Sequence, residues 1–386
     1  MKQVYIKYIL PHLPSLICSI LLCILMALPT GYEDAVIYQG AERCKAEVVK
    51  TNESAVIHSG LIRSGEQYCT VRFLDGLFKG QEAEAYNMLS GSLENDKIYA
   101  VGDTAMVVIS YQDKEILSVN MIDHYRMDKE FVLIIVFAIV LVVFAGKTGV
   151  KSLLSFVIAV LSIWKILVPA CLNGLNPIMV GLGIICALTI VIISLVYGYD
   201  RRFLAASSGA ILGTLMTCVL GVIFTGLFKI HGAVMTSSES LLYAGFENLN
   251  LTQIFMASVF IGASGAIMDI AVDITSAVNE VVEKKPEIRA KEAILSGIHV
   301  GRAAMGTMTT TLLLAYSGGY MTLLMVFMAQ GTPIYNILNY KYVASEILHT
   351  IVGSFGLVAV APFTAFMSGL LLTCNKKENS SYKVTV

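Results

Sequence analysis

Asp269 and Asp273 stand four residues apart in 262-GASGAIMDIAVDITSAVNE-280, a run of mostly small and apolar residues that also carries Ser276, Asn279 and Glu280. An ionised carboxylate at the centre of a membrane-crossing helix costs about 2.5–3.5 kcal/mol on insertion scales. A sequence keeps such a group only where a counter-charge, water or a passing species meets it. The next apolar run supplies counter-charges in His299 and Arg302. Asp269, Asp273, Ser276 and Glu280 recur at helical intervals and share one face; His299, Arg302, Gly306 and Thr310 do the same. Pro286, just after Lys284-Lys285, predicts a turn joining the two helices. Counted from Pro286, Asp273 and His299 are each thirteen residues out, while Asp269 and Arg302 are seventeen and sixteen. At about 1.5 Å of rise per residue those pairs sit at matching depth. Gly262, Gly265 and Gly297-x-x-x-Gly301 allow the backbones to approach closely. The simplest arrangement is two polar faces meeting across a glycine-lined seam.

Two chemistries fit such a hairpin. The charges can neutralise each other and lock the bundle, or they can line a path in which a proton or ion breaks one pair. His299 is the natural titrating member, because imidazole changes charge near neutral pH. The expected coupling site is therefore Asp269, Asp273, Asn279, Glu280, His299, Arg302 and Thr310. Gly331, Pro333 and Asn336 interrupt the apolar run 319–338 and mark a gate or re-entrant loop.

Other chemistries find little purchase. Glu346-x-x-His349 has a carboxylate–imidazole spacing, but di-iron bundles need it twice with further Glu residues. One copy reads as an interfacial cap. Of eight cysteines, only Cys44 and Cys69 fall in a polar region, where a disulfide can form if the compartment is oxidising. No CxxC or Cys/His cluster occurs, so no metal site is expected. HExxH, GxSxG and a glycine-rich phosphate loop are all missing from the sequence. The expectation is a protein that is not an enzyme and uses no cofactor.

The elements that position these residues follow from composition. The 386-residue chain is 56% hydrophobic and only 14% charged, against about 25% charged in soluble proteins. That is the composition of a polytopic membrane protein, and a net charge of −1 gives no basic surface for nucleic acid. Lys2 and Lys7 precede an apolar run, so residues 1–30 read as a signal anchor. Residues 31–129 alternate polar and apolar between turn signals, as strands do. Residues 130–373 are nearly continuous membrane, and 374–386 form a polar tail. Candidate spans are 131–145, 152–171, 177–197, 203–228, 251–278, 293–316, 319–338 and 346–372, each near the ~20 residues that crossing needs.

Lys147/Lys151, Arg201/Arg202 and the 284–291 cluster fall in every second loop, which places the N-terminus in the cytoplasm and residues 31–129 outside. Nine full spans would leave Lys376, Lys377 and Lys383 outside as well, so the count is eight or nine. The expected fold is an all-α polytopic membrane bundle of 8–9 transmembrane helices, with a small extracytoplasmic β-rich domain inserted after the first helix.

The blocks 262-GASGAIMDIAVDITSAVNE-280, 301-GRAAMGTMTTTLLLAYSGG-319 and 352-VGSFGLVAVAPFTA-365 resemble the YibE/F family of bacterial multi-pass membrane proteins, over about residues 131–372. The resemblance implies a bacterial plasma-membrane protein and no particular activity. Beside it, the charged hairpin points to a transporter or channel for a small solute or ion. The alternative is a membrane scaffold or envelope-assembly protein whose external domain binds a partner. The expected partners are the lipid bilayer, an unidentified small solute or ion, and either a homo-oligomer or an envelope protein.

Overall fold

The computed structural model describes residues 12–33 and 40–374. The lysines that bear on span parity, Lys376, Lys377 and Lys383, lie outside the described residues, as do Lys2 and Lys7. The chain divides into two units, residues 32–144 and residues 1–31 with 145–386.

In the first unit, five strands alternate buried and exposed residues: β1 Glu42–Ser59, β2 Ile62–Phe73, β3 Glu82–Ser90, β4 Thr104–Gln112 and β5 Glu115–His124. They close into a barrel in the order β1-β2-β3-β5-β4, antiparallel except at β3–β5. This is the arrangement of an OB-type Greek-key barrel. One face of every strand fills the interior, with Val48, Val71, Phe73, Ile109 and Val119 almost fully buried. Gln67 is buried among them and is fully used. Its Nε2 donates to the Tyr99 carbonyl (2.8 Å), and its Oε1 accepts from the Tyr99 amide (3.1 Å) and Asn87 Nδ2 (3.0 Å). The network pins the loop between β3 and β4 to the barrel, as a buried amide must be satisfied to be tolerated. A helix, α2 Met127–Ala145, follows the barrel. Its first turn is tied back by Asp128, which pairs with Lys45 of β1.

The candidate disulfide is corrected here, because both thiols are free and buried. The ladder puts Cys69 opposite Thr51, seven residues along β1 from Cys44. At about 3.3 Å per residue that is roughly 20 Å, far beyond the ~7 Å Cα limit for a bridge. Burial pushes the Cys44 thiol up to about 12, helped by Asp75 and Glu42, and the Cys69 thiol up to about 11, helped by Glu53. Thiolate is the reactive form. At pH 8 the folded protein should therefore alkylate at Cys44 and Cys69 at least about a hundredfold slower than the denatured chain. Peptide mapping after iodoacetamide checks this, and rapid labelling of the folded protein would overturn it.

In the second unit, α1 Leu13–Ala27 packs beside α3 Lys147–Ser162, which continues through a π-turn into α4 Val168–Leu172. Then come α5 Pro177–Tyr197, α6 Arg201–Leu227, the short α7 Ser238–Tyr243, α8 Leu251–Lys284, α9 Ala290–Ser317, α10 Met321–Ala329, α11 Ile334–Asn339 and α12 Lys341–Thr373. The long helices start where the sequence caps them. Asn176 accepts from the amides of Ile178 and Met179 with Pro177 in the first turn, Asp200 accepts from the Phe203 amide, and Asn250 from the Gln253 amide. α5 stops at Gly198, whose φ of +75° leaves the helix.

Among the described residues, six helical runs are long and apolar enough to cross a membrane: 147–172, 177–197, 201–227, 251–284, 290–329 and 341–373. The expected span 131–145 lies in α2, which opens on Asp128, Lys129 and Glu130 and is not among the six. α9 and α10 run on through a single 3-10 turn at Gly318–Tyr320, where the sequence suggested a loop. The run 319–338 is broken, as expected, but at Gly331 (φ +64°) and Pro333; Asn336 sits inside α11.

α8 is the central helix, with Ile267, Ile270, Ala271 and Ile274 fully buried. Lipid is as apolar as these side chains, so close packing rather than transfer from water must hold the helices together. Small residues do it. A Cβ on Gly209 would stand 2.8 Å from Thr364 Cα, and one on Gly356 would stand 2.9 Å from Ile267 Cδ1. In this way α12 nests directly on α6 and α8, and buried Thr275 and Ser368 hydroxyls bond across the α8–α12 seam at 3.0 Å.

Candidate functional site

The turn between α8 and α9 spans Lys285–Arg289, so its centre is Glu287 rather than Pro286. That single residue shifts the register of the hairpin. A Cβ on Gly301 would stand 3.0 Å from Ile274 Cδ1, and one on Gly297 would stand 2.8 Å from Val278 Cγ2. The positions level with each other are therefore Asp273 and Arg302, Ser276 and His299, and Asp269 and Gly306. The depth pairs expected from sequence, Asp273 with His299 and Asp269 with Arg302, are corrected by about one turn.

Both one-face patterns hold. Asp269, Asp273, Ser276 and Glu280 are all exposed on α8, and His299, Arg302, Gly306 and Thr310 are all exposed on α9. The glycine seam, however, is a different face. Gly297 and Gly301 pack inward on Ile274, Val278, Ala361 and Ala365. His299 lies about 200° and Arg302 about 140° around the helix from Gly297, so turning the glycines in turns the charges out. Among the described residues, no hydrogen bond or ion pair joins Asp269 or Asp273 to His299 or Arg302. The picture of two charged faces meeting across the seam is replaced by two charged stripes on the outside of neighbouring helices.

Asn279 and Glu280 are engaged locally near the helix end. Asn279 Nδ2 donates to Glu283 (2.7 Å), and Glu280 pairs with Lys284 (2.6 Å) with both side chains largely exposed. The neighbouring threonines of α9 turn back on their own helix, Thr309 onto the Met305 carbonyl and Thr311 onto that of Thr307. One neighbour of the Asp273 stripe was not anticipated. The Tyr197 hydroxyl, at the end of α5, donates to the Val272 carbonyl and lies 2.6 Å from Ser276 Oγ. The Arg202 guanidinium sits 5.2 Å from the Tyr197 ring and pairs with Asp200 at 2.7 Å.

A second polar group sits where α8, α9 and α12 meet, and sequence reasoning discounted it. The His349 ring stacks on Tyr316 at 4.4 Å and bonds to the Ser258 backbone. Tyr320 hydrogen-bonds Glu346, one turn before His349. Three buried polar atoms here, Tyr316 Oη, His349 Nε2 and Glu346 Oε1, have no partner. Two of them converge on Gly262, where a Cβ would stand 2.6 Å from Tyr316 Oη and 3.1 Å from His349 Nε2. Glu346-x-x-His349 was the available signal, and its partners from α8 and α9 were the part that spacing could not supply. Among the described residues, no group of three His, Cys, Asp or Glu side chains is placed to hold a metal.

A helical unit with six runs long and apolar enough to cross a bilayer, bearing ionisable groups along two of them, defines an integral membrane protein. The family described as YibE/F-like protein matches residues 133–374, which takes in all of these helices from α3 on, and the chain belongs to that family. Searches of curated proteins and of solved structures gave no match.

Proposed function

We propose that this protein moves a small solute or ion across a bacterial plasma membrane, with the α8–α9 hairpin as its proton- or ion-responsive element. The observation that carries this reading is the state of Asp269 and Asp273. They stand one turn apart on the central helix, whose other faces are buried, and among the described residues neither has a hydrogen bond or ion pair. Like charges at that spacing repel, and the repulsion is relieved when a proton or cation joins one of them. Such a pair is a place where a charge is taken up and released, which is the usual role of ionisable groups at membrane depth. The hydroxyls of Ser276 and Tyr197 continue the polar surface from Asp273. The break at Gly331–Pro333 supplies non-helical backbone of the kind that gates such proteins.

In this reading the N-terminus is cytoplasmic, the barrel lies outside, and the protein acts without enzymatic chemistry or a cofactor. A scaffold function is favoured by one feature. Tyr68 and Tyr86 stack edge to face at 5.4 Å across β2 and β3, beside a Met88 that is 70% exposed, and together they offer an envelope partner an apolar foothold.

The deciding experiment is flux through the purified protein in liposomes, run for protons and common mono- and divalent cations at two external pH values. Flux above that of protein-free vesicles supports transport. A flat result across the series, with the protein folded in the vesicles, would sink it in favour of the scaffold.

A further inference from the structure

Lipid cannot be what covers Asp269, Asp273, His299 and Arg302, since each would face hydrocarbon without a partner. Four features indicate what does. The first is balance: one exposed stripe is acidic, and the stripe on the adjoining helix carries a guanidinium and an imidazole. The second is spacing of small residues. The glycines at the internal seams, such as Gly209, Gly297 and Gly301, are closely packed within the chain. Gly265, one turn before Asp269, and Gly306, one turn after Arg302, have nothing within 4 Å of where a Cβ would stand. These two leave room for a helix arriving from outside. The third is coverage, for only 11% of the most apolar stretch of 290–329 is buried in the chain, against 56% for α8. The fourth is depth, since Asp273 is level with Arg302 and Asp269 with Gly306.

We propose that two copies of this chain pair through these stripes, about a two-fold axis along the membrane normal. Such an axis preserves depth, so the level positions within one hairpin become level positions between copies. Asp273 then meets Arg302 of the partner subunit, and Asp269 lies in the space left by Gly306 of the partner subunit. The reverse contacts form by symmetry, so each Asp273 and each Arg302 gains a counter-charge. The polar surface that transport would use becomes a seam between subunits. The pairing goes beyond the transport reading and does not depend on it.

The test is the mass of the full-length protein in detergent and in lipid nanodiscs, with three variants. Wild type should run as twice the 41.8 kDa chain. A Cβ at Gly306 has nothing of its own chain within 4 Å, so Gly306→Phe should keep the monomer's melting temperature yet raise the dimer dissociation constant by about tenfold or more. Arg302→Asp should also dissociate the pair, and co-expression with a differently tagged Asp273→Arg chain should restore pairing between the two tags. A monomeric wild type in nanodiscs overturns the proposal, and so does a Gly306→Phe protein that pairs as tightly as wild type. A dimer without flux would leave the pairing intact and remove the transport reading; flux from a monomer would do the opposite.

Discussion

Asp273→Asn should reduce proton or ion flux at least about tenfold while leaving the protein inserted and the fold of each chain as stable as in wild type. Both halves of that expectation come from the same geometry. The Asp273 side chain is exposed on α8 and makes no hydrogen bond or ion pair among the described residues, so an isosteric amide takes away nothing that holds the helix in its own bundle. Surface changes away from such bonds usually shift stability by no more than about 0.5 kcal/mol. What the amide does remove is the ability to carry a charge. A tenfold loss corresponds to only about 1.4 kcal/mol of barrier, less than the cost of an uncompensated charge in lipid. Asp269→Asn should behave alike, and His299→Ala should blunt any dependence of flux on external pH. Liposome flux and thermal melts of the same samples give the comparison. Full flux from both Asp variants would show that the carboxylates are structural.

Gly301→Leu should have the largest effect on the bundle itself, about 3 kcal/mol or more. Even the first carbon of a side chain would stand 2.8 Å from Ala361 Cβ and 3.0 Å from Ile274 Cδ1, both on helices that pack against α9. Three more carbons have nowhere to go without driving α9 off α8 and α12. Gly306→Leu, a turn and a half along the same helix, is the natural control because its surroundings within the chain are open. Melting temperatures and the monodisperse fraction after extraction should fall for the first and hold for the second. Equal behaviour would mean that the α8–α9–α12 seam contributes little.

How much of this was legible in the sequence depends on the range of the interaction. The charged stripes were legible because spacing of three and four residues fixes a helical face whatever the helix packs on. Their orientation was legible too, in principle. Gly297 and Gly301 cannot turn inward together with His299 and Arg302, and that exclusion was overlooked in favour of pairing the charges. The depth register hung on where α8 ends, and one residue there moved every pair. In the barrel, alternation revealed strands but not their register, and the β1–β2 register is what puts Cys44 and Cys69 far apart along one wall. The group around His349 draws on Ser258, Gly262, Tyr316 and Glu346, four positions spread over nearly ninety residues of sequence. Only packing could assemble it. Among the described residues six runs are long and apolar enough to cross, beside eight or nine expected spans; α1 is shorter, α2 opens on three charges, and the expected spans 293–316 and 319–338 begin in one helical run.

The closed barrel has a consequence for how the protein survives outside a bilayer. An open sheet exposes a row of unpaired amides on which other chains can template, and closure removes that row. The closure here is uneven. β2 and β3 are laddered from Ser64–Ser90 to Arg72–Glu82, whereas β3 and β5 meet at the single parallel pair Tyr86–Asn120. The wall is therefore zipped everywhere but along one short suture. Amide hydrogens beside that suture are the first that solvent can reach when the barrel breathes, and a foreign strand seeking entry would have to begin there.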